Sequence, residues 1–403
     1  MRVFLIAGEA SGDKLGAALM AGLKDLTPDI SFDGIGGALM QAQGLTSRFP
    51  MDELSVFGIA EVLPKYRHLK RRIRETAQAV TDTRPDVLIS IDSPDFCLRV
   101  ARLVKAASDV RTVHYVAPSV WAWRAGRAEK MAKSIDQVLA LLPFEPPYMQ
   151  AAGMRCDFVG HPVVAEPQAS AAEVAQFRVD TGIAAAPILL VLPGSRRGEV
   201  GRLAPVFGEA LRPVIAQHPE IRVVVPAAAP VASAVIEATA NWPGARLVLD
   251  PRGLTSQAEI ARKRAAFAAA DFALAASGTV SLELAAAGTP MVIAYDMNWL
   301  SWQIMSRMLK TDTVTLVNLV SGTRTVPEFL GPACKPDAIA GALNGLIGDP
   351  DKRAAQLAAM TDTMRALGKG AEAPGLRAAR AVLDGLATAA RVNQAPRQIQ
   401  PPP

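Results

Sequence analysis

Short apolar runs punctuate the chain, and most end in a small-residue or acidic turn that leads into a stretch with helical spacing. Arg2 to Ala7 is the first run. After Gly8-Glu9-Ala10-Ser11-Gly12-Asp13, residues Leu15, Leu19, Leu23 and Leu26 recur on one helical face. Phe32 to Gly37, Asp86 to Ile91, Arg111 to Val116 and Gln137 to Leu142 repeat the strand pattern, and Cys156 to Gly160 closes the series. Runs apolar at consecutive positions suit strands buried on both faces of a parallel sheet. Residues 165–185 are rich in Ala, Glu, Gln and Pro with no strong apolar face beyond a short helix, which places a linker there. The alternation then starts afresh: Ile188 to Leu192, Arg222 to Val225, Arg246 to Leu249, Phe272 to Ala276 and Met291 to Tyr295. Two successive βαβ sets predict an α/β protein of two doubly wound domains, residues 1–168 and 169–335. Residues 336–390 read as Ala- and Leu-rich helices packing across domains or subunits, which leaves a homodimer open. Residues 391–403 are rich in Pro and Gln and are expected to be disordered.

Three stretches depart from this alternation. Leu63, Tyr66, Leu69, Ile73, Ala77 and Val80 fall on one helical face, while Lys65, Arg67, His68, Lys70, Arg71, Arg72 and Arg74 make the segment strongly cationic. The apolar Val56 to Leu63 precedes it. Such a helix suits an anionic membrane surface, and a solvated face packed on a sheet has the same pattern. Met297 to Leu309 (MNWLSWQIMSRML) is apolar nearly all round, as for a buried helix or one that meets acyl chains. Lys310 to Val320 (KTDTVTLVNLV) places Asn318 in an apolar, strand-like context.

Composition narrows the classes. The 403 residues are 50% hydrophobic and 20% charged, which is globular, and no apolar run approaches the length of a membrane span. The N-terminus has one Arg, a very short apolar run and acids soon after, a poor signal peptide, so a cytoplasmic location is expected. Cys97, Cys156 and Cys334 show no metal spacing and fit buried thiols in a reducing compartment, and the four His are widely spaced, so no metal site and no cofactor are expected. A net charge of +5 favours anionic ligands, and with aromatics at 5% a nucleic-acid partner is not expected.

The candidate chemistry sits at strand ends. Ser277-Gly278-Thr279 lies between the apolar run Phe272 to Ala276 and a helix, where backbone N–H groups and the helix terminus attract an anion. Glu283, one turn on, is four residues after Thr279 and does not fit a capping box with it; gripping a pair of sugar hydroxyls gives that carboxylate a role. Gly194-Ser195-Arg196 follows Leu192-Pro193 in the same way, with an Arg fork for a phosphate. Asp92 and Asp95, in DSPDF, cluster at the end of a strand, where one can serve as general base and either can cap the next helix. Trp121 and Trp123 stand in a loop at another strand end, as a sugar platform or as core anchors. The first turn, GEASGD, is not GxGxxG and lacks the acidic ribose residue, so the two features a dinucleotide dehydrogenase would need are missing from it.

Two Rossmann-like halves with the stronger phosphate turns in the second describe a GT-B glycosyltransferase, with domains facing a central cleft. The set GEASGD, IDSPDF, HYVAPSVWAWR, LPFE, VGHP, LPGSRRGE, SGTVSLE and KTDTVTLVNLV, in this order, resembles the bacterial lipid-A-disaccharide synthases from Arg2 to Leu330. The resemblance implies an inverting transfer of diacylglucosamine from its UDP donor to the 6-hydroxyl of diacylglucosamine 1-phosphate. It implies that Arg196, Gly194, Ser195, Ser277, Gly278 and Thr279 meet the diphosphate and that Glu283 binds the ribose. It further implies that Asn318 lies near the donor, that Asp95 or Asp92 is the base, and that Ser11, Gly12 and Trp121 line the acceptor side. It implies too that Lys65, Arg67, Lys70, Arg71, Arg72 and Arg74 hold the enzyme to the inner leaflet, as a peripheral protein of the inner membrane. The other reading is a UDP-sugar 2-epimerase of the same fold, which would need no acyl-facing surface.

Overall fold

The computed structural model describes residues 1–54, 59–122 and 126–394, without the side chains of 59–65, 300, 301 and 392–394. The apolar run from Val56, the Lys65 side chain, Trp123, Arg124 and the tail from 395 on lie outside the described residues.

The chain divides into two compact units, Met1–Ala165 with the chain from Gly370 on, and Glu166–Lys369. In the first, β1 (Arg2–Ala7), β2 (Ser31–Ile35), β3 (Val87–Ile91), β4 (Arg111–Tyr115), β5 (Gln137–Ala140) and β6 (Arg155–Phe158) form a parallel sheet. Its order is β2-β1-β3-β4-β5-β6. Alternate residues face opposite layers, as a pleated strand requires. Val3, Leu5, Val87 and Ile89 pack under the Ala10–Leu26 and Pro374–Gln394 helices. Phe4, Ile6 and Leu88 pack under Ile73, Ala77 and Val80 of the helix Ile59–Thr83 and Val100 of Pro94–Ala107. Both faces are dry, which is why these strands read as unbroken apolar runs.

The second unit repeats the scheme with β7 (Ile188–Leu192), β8 (Arg222–Pro226), β9 (Ala245–Leu249), β10 (Phe272–Ala276), β11 (Met291–Tyr295) and β12 (Glu328–Leu330), in the order β12-β11-β10-β7-β8-β9. Leu189, Val191, Leu274 and Val292 bury against Leu203, Phe207 and Leu211 of the helix Arg197–Gln217 and Ile339 and Leu343 of Pro336–Gly348. Two six-stranded parallel sheets with interspersed helices make this an α/β fold of the GT-B type, as the sequence predicts.

In each sheet the strand order reverses beside the first strand of the unit. β1 lies between β2 and β3, and β7 between β8 and β10. Loops leaving the carboxyl ends of those strands diverge to opposite faces and open a crevice.

Two expectations are corrected. The strand expected around Asn318 is a helix, Leu316–Ser321. Its β-branched residues favour a strand locally, but Val317 and Asn318 are buried and the Asn318 amide takes the role of a sheet partner. Its Nδ2 donates to the Val326 carbonyl at 2.9 Å and its Oδ1 accepts from the Val326 N–H at 3.1 Å. The apolar segment after Tyr295 contains the helix Trp299–Met308 but is not buried all round: Trp299 is 73% and Ile304 53% exposed.

The last helix returns to the first unit. Gly22 and Gly375 let it approach: a Cβ at Gly22 would stand 2.8 Å from the Gly375 carbonyl oxygen, and one at Gly375 2.5 Å from that of Ala18. Gln137 Nε2 donates to the Ala381 carbonyl at 2.8 Å and Arg377 to that of Phe158 at 2.9 Å.

Candidate active site

In the second unit, a cavity of about 390 Å3 opens at the carboxyl ends of β7, β8, β9 and β10. Its wall brings together Gly194, Ser195, Arg196, Ser277, Gly278, Thr279 and Glu283. The first three end β7 and the rest follow β10, over 80 residues later; the pairing of Leu274 with Val191 makes them neighbours. Gly194 has φ +124° and Gly278 φ +151°, values that L side chains rarely adopt. A Cβ at Gly194 would also meet Glu199 Cβ at 2.6 Å.

The turns differ from the sequence expectation in one respect. The Ser195 and Arg196 N–H groups, counted there as open to phosphate, donate to Glu199 Oε2 at 3.1 and 3.3 Å. The Ser277 N–H continues the sheet ladder to the Ala294 carbonyl at 3.2 Å. A carboxylate three residues after an N-terminal cap satisfies the orphan donors of its own helix, so Glu199 stands where an anion was expected. The Arg196 side chain is 68% exposed on the cavity wall and contacts Glu199 Oε1 at 3.4 Å.

Sequence reasoning missed the outer wall. Glu259, Arg262, Lys263 and Phe267 come from the helix Ser256–Ala269, and Asp250 from the end of β9. Lys263 Nζ bonds Glu283 Oε2 at 2.5 Å. The only available signal was the basic run Arg262-Lys263-Arg264, which by itself is an ordinary solvated face. Asn318 is not on this wall; both ends of its amide are engaged by Val326.

In the first unit, the candidates cluster at the β1–β3 switch point. Asp92 (φ +51°) and Ser93 (φ +44°), after β3, and Val116 (φ +86°), after β4, are non-glycine residues at positive φ. Each costs about 1–3 kcal/mol, and such strain concentrates at functional sites. A Cβ at Gly8 would stand 2.5 Å from Ser93 Oγ and 3.0 Å from Ser93 Cβ, so the Ser93 side chain would have to shift. Asp95 is exposed in the first turn of the helix that Pro94 opens, and Asp92 is half-buried. Ser11 is exposed and Gly12 buried near the Ile91 carbonyl. Asp13 is structural: buried, it accepts from the N–H groups of Gly37, Leu39 and Met40 at 2.9–3.0 Å.

Trp121 is half-buried and anchored. It packs edge-on against Phe144 (centroids 5.2 Å apart), and its Nε1 donates to Glu145 Oε1 at 3.3 Å. Glu145 is 4% exposed and also accepts from the Leu142 N–H at 3.0 Å; burial pushes its carboxyl up to about 7.

The cationic helix divides. Arg67, Lys70, Arg71 and Arg74 are exposed. Arg72 is not a free surface charge, which corrects its place in that set. It grips Glu53 with Nε and Nη2 at 2.7 and 2.9 Å and lies 4.3 Å over the Phe49 ring. His68 reaches the same carboxylate at 2.7 Å.

Two doubly wound units, one with an Arg- and Glu-walled cavity at its switch point, place cations and a carboxylate where folds of this type bind their ligands. Solved structures bear out the fold. A UDP-GlcNAc 2-epimerase from Neisseria meningitidis, bound to UDP-GlcNAc, aligns with a TM-score of 0.60 at 11% identity, covering 96% of this chain and all of that one. A glycosyltransferase from Rickettsia africae aligns at 0.59 and 12% identity, covering 96% and 98%.

Sequence comparison separates these classes. The profile of the family described as lipid-A-disaccharide synthetase matches residues 3–379. The lipid-A-disaccharide synthase of Ruegeria pomeroyi is 68% identical over 386 residues, 96% of each chain, and that of Rhodospirillum centenum 47% identical over 385 residues, 95% and 94%. The chain belongs to the lipid-A-disaccharide synthase family, and is thus a glycosyltransferase of lipid A biosynthesis.

Proposed function

We propose that this chain moves a diacylglucosaminyl group from UDP to the 6-hydroxyl of diacylglucosamine 1-phosphate, with inversion. The observation that carries the donor side is the cavity shared by the β7 and β10 turns. Arg196 and the Ser277–Thr279 turn hold the diphosphate, with Gly194 and Ser195 shaping the second turn, and Glu283 takes the ribose hydroxyls. Asn318 is left out of the contact set. The first unit holds the acceptor beside Ser11, Gly12 and Trp121. Asp95, the more exposed of the two carboxylates, takes the proton of the attacking hydroxyl, and Asp92 is the alternative base. The new C1–O6 bond forms as the C1–O bond to UDP breaks, and Arg196 balances the charge that develops on the departing diphosphate.

The enzyme sits at the inner leaflet of the inner membrane, held by Arg67, Lys70, Arg71 and Arg74. Among the described residues no helix is long and apolar enough to cross a membrane. A homodimer, left open by the C-terminal helices, is part of this proposal only as an assembly to be measured.

The test is disaccharide formation from UDP-diacylglucosamine and the monosaccharide acceptor. Arg196→Ala and Asp95→Asn are each expected to lose most turnover, about 100-fold or more for the loss of one charge-stabilising or proton-accepting group, with the fold intact. Normal turnover in Arg196→Ala would overturn the diphosphate role.

A further inference from the structure

On the outer wall of the cavity, Lys263 and Phe267 lie one turn apart on the helix Ser256–Ala269, so their side chains share a face. The Lys263 ammonium lies 5.1 Å from the centroid of the Phe267 ring and 2.5 Å from Glu283 Oε2, on the neighbouring helix Val280–Ala287. All three line the cavity. Lys263 is 47% and Glu283 33% exposed, so the pair adds little to stability. Its consequence is geometric. Glu283 has three rotatable bonds, and a charge-assisted hydrogen bond to one carboxylate oxygen selects among its rotamers. The aromatic face limits where the ammonium can stand. The engaged oxygen is Oε2, and the carboxylate stands on the cavity wall.

We propose that Lys263 is a positioning residue for donor recognition: seated on Phe267, it aims Glu283 at the ribose hydroxyls of the nucleotide. This rests on the donor reading of the cavity. Acting through Glu283, Lys263 is expected to affect donor affinity and ribose discrimination rather than the chemical step.

The test is calorimetric binding of UDP and of 2′-deoxy-UDP to the full chain and to Lys263→Met, Lys263→Arg and Glu283→Gln. Glu283→Gln is expected to bind UDP about tenfold more weakly and to lose the preference over 2′-deoxy-UDP, as for one lost charge-assisted hydrogen bond. Lys263→Met is expected to lose most of that preference too, Lys263→Arg to restore it, and the Lys263 variants to show a raised donor KM with kcat little changed. Lys263 is half-exposed, and matching melting temperatures verify folding. If Glu283→Gln loses the preference while Lys263→Met keeps it, the positioning role is wrong and the donor reading stands. If Glu283→Gln keeps the preference, the donor reading of Glu283 and this proposal fall together.

Discussion

Glu145 shows how one residue links burial to pH. Its carboxyl, ordinarily at 4.5, is moved up to about 7 by burial, against the N–H donors of Leu142 and Trp121. Between those two values the folded state keeps a proton that the unfolded chain has released. Folding stability therefore falls as pH rises from 4.5 through 7, by at most about 3 kcal/mol from this group. Glu145→Gln carries no charge at any pH and is expected to remove that slope; urea midpoints that decline as steeply in the variant would refute it. Gly194 sets a second prediction. Ala there meets both the positive φ and Glu199 Cβ at 2.6 Å, so the turn must shift. UDP affinity is expected to drop about tenfold or more as the turn shifts, and about 1–3 kcal/mol of strain is expected to lower the melting temperature by a few degrees. Unaltered UDP binding would show that the turn tolerates a side chain.

At the scale of elements, the helix Ile59–Thr83 does two jobs on two faces. Ile73, Ala77 and Val80 pack on the sheet, and Arg72 is tied to Glu53. The outer cations Arg67, Lys70, Arg71 and Arg74 remain at the surface. Reversing Lys70, Arg71 and Arg74 together is expected to weaken binding to anionic vesicles by about 1 kcal/mol per charge. Turnover of detergent-dispersed substrate should be spared. Equal loss in both assays would count against a membrane-facing role. Reversing Arg72 is a different experiment: it leaves Glu53 beside a like charge, and a drop in stability rather than in vesicle binding is expected.

At the scale of the molecule, the chain crosses to the second unit near Ala165 and returns near Gly370. The returning helix covers Leu19, Met20 and Leu23 with Ala378, Ala379 and Val382, all fully buried. A chain ending at Lys369 uncovers those residues of the helix Ala10–Leu26. Its first unit is expected to lose its cooperative unfolding transition, while UDP binding, which the proposed donor site assigns to residues 166–369, is expected to survive. Retention of both transitions in a calorimetric scan would show that the last helix is dispensable. Gly22→Val tests the same contact more gently, with an expected overpacking cost of about 1–3 kcal/mol.

The amino-acid order alone determined the alternation of strand and helix, because apolar period and turn residues are local and each buried strand must be apolar on both sides. It also marked the turns after β1, β3, β7 and β10, where small residues interrupt those runs. What joins those turns was decided by tertiary structure. The neighbours of β7 depend on strand pairing across 80 residues, which no local period encodes. Lys263 entered the cavity wall, and Asn318 left the set of candidate contacts, for the same reason. Arg72 looked like its neighbours in sequence and differs because Glu53 and Phe49 wait beneath it. Glu199, one more charge in GSRRGE, proved to fill the turn's own donors, since a carboxylate one helical turn away is the nearest anion those N–H groups can find.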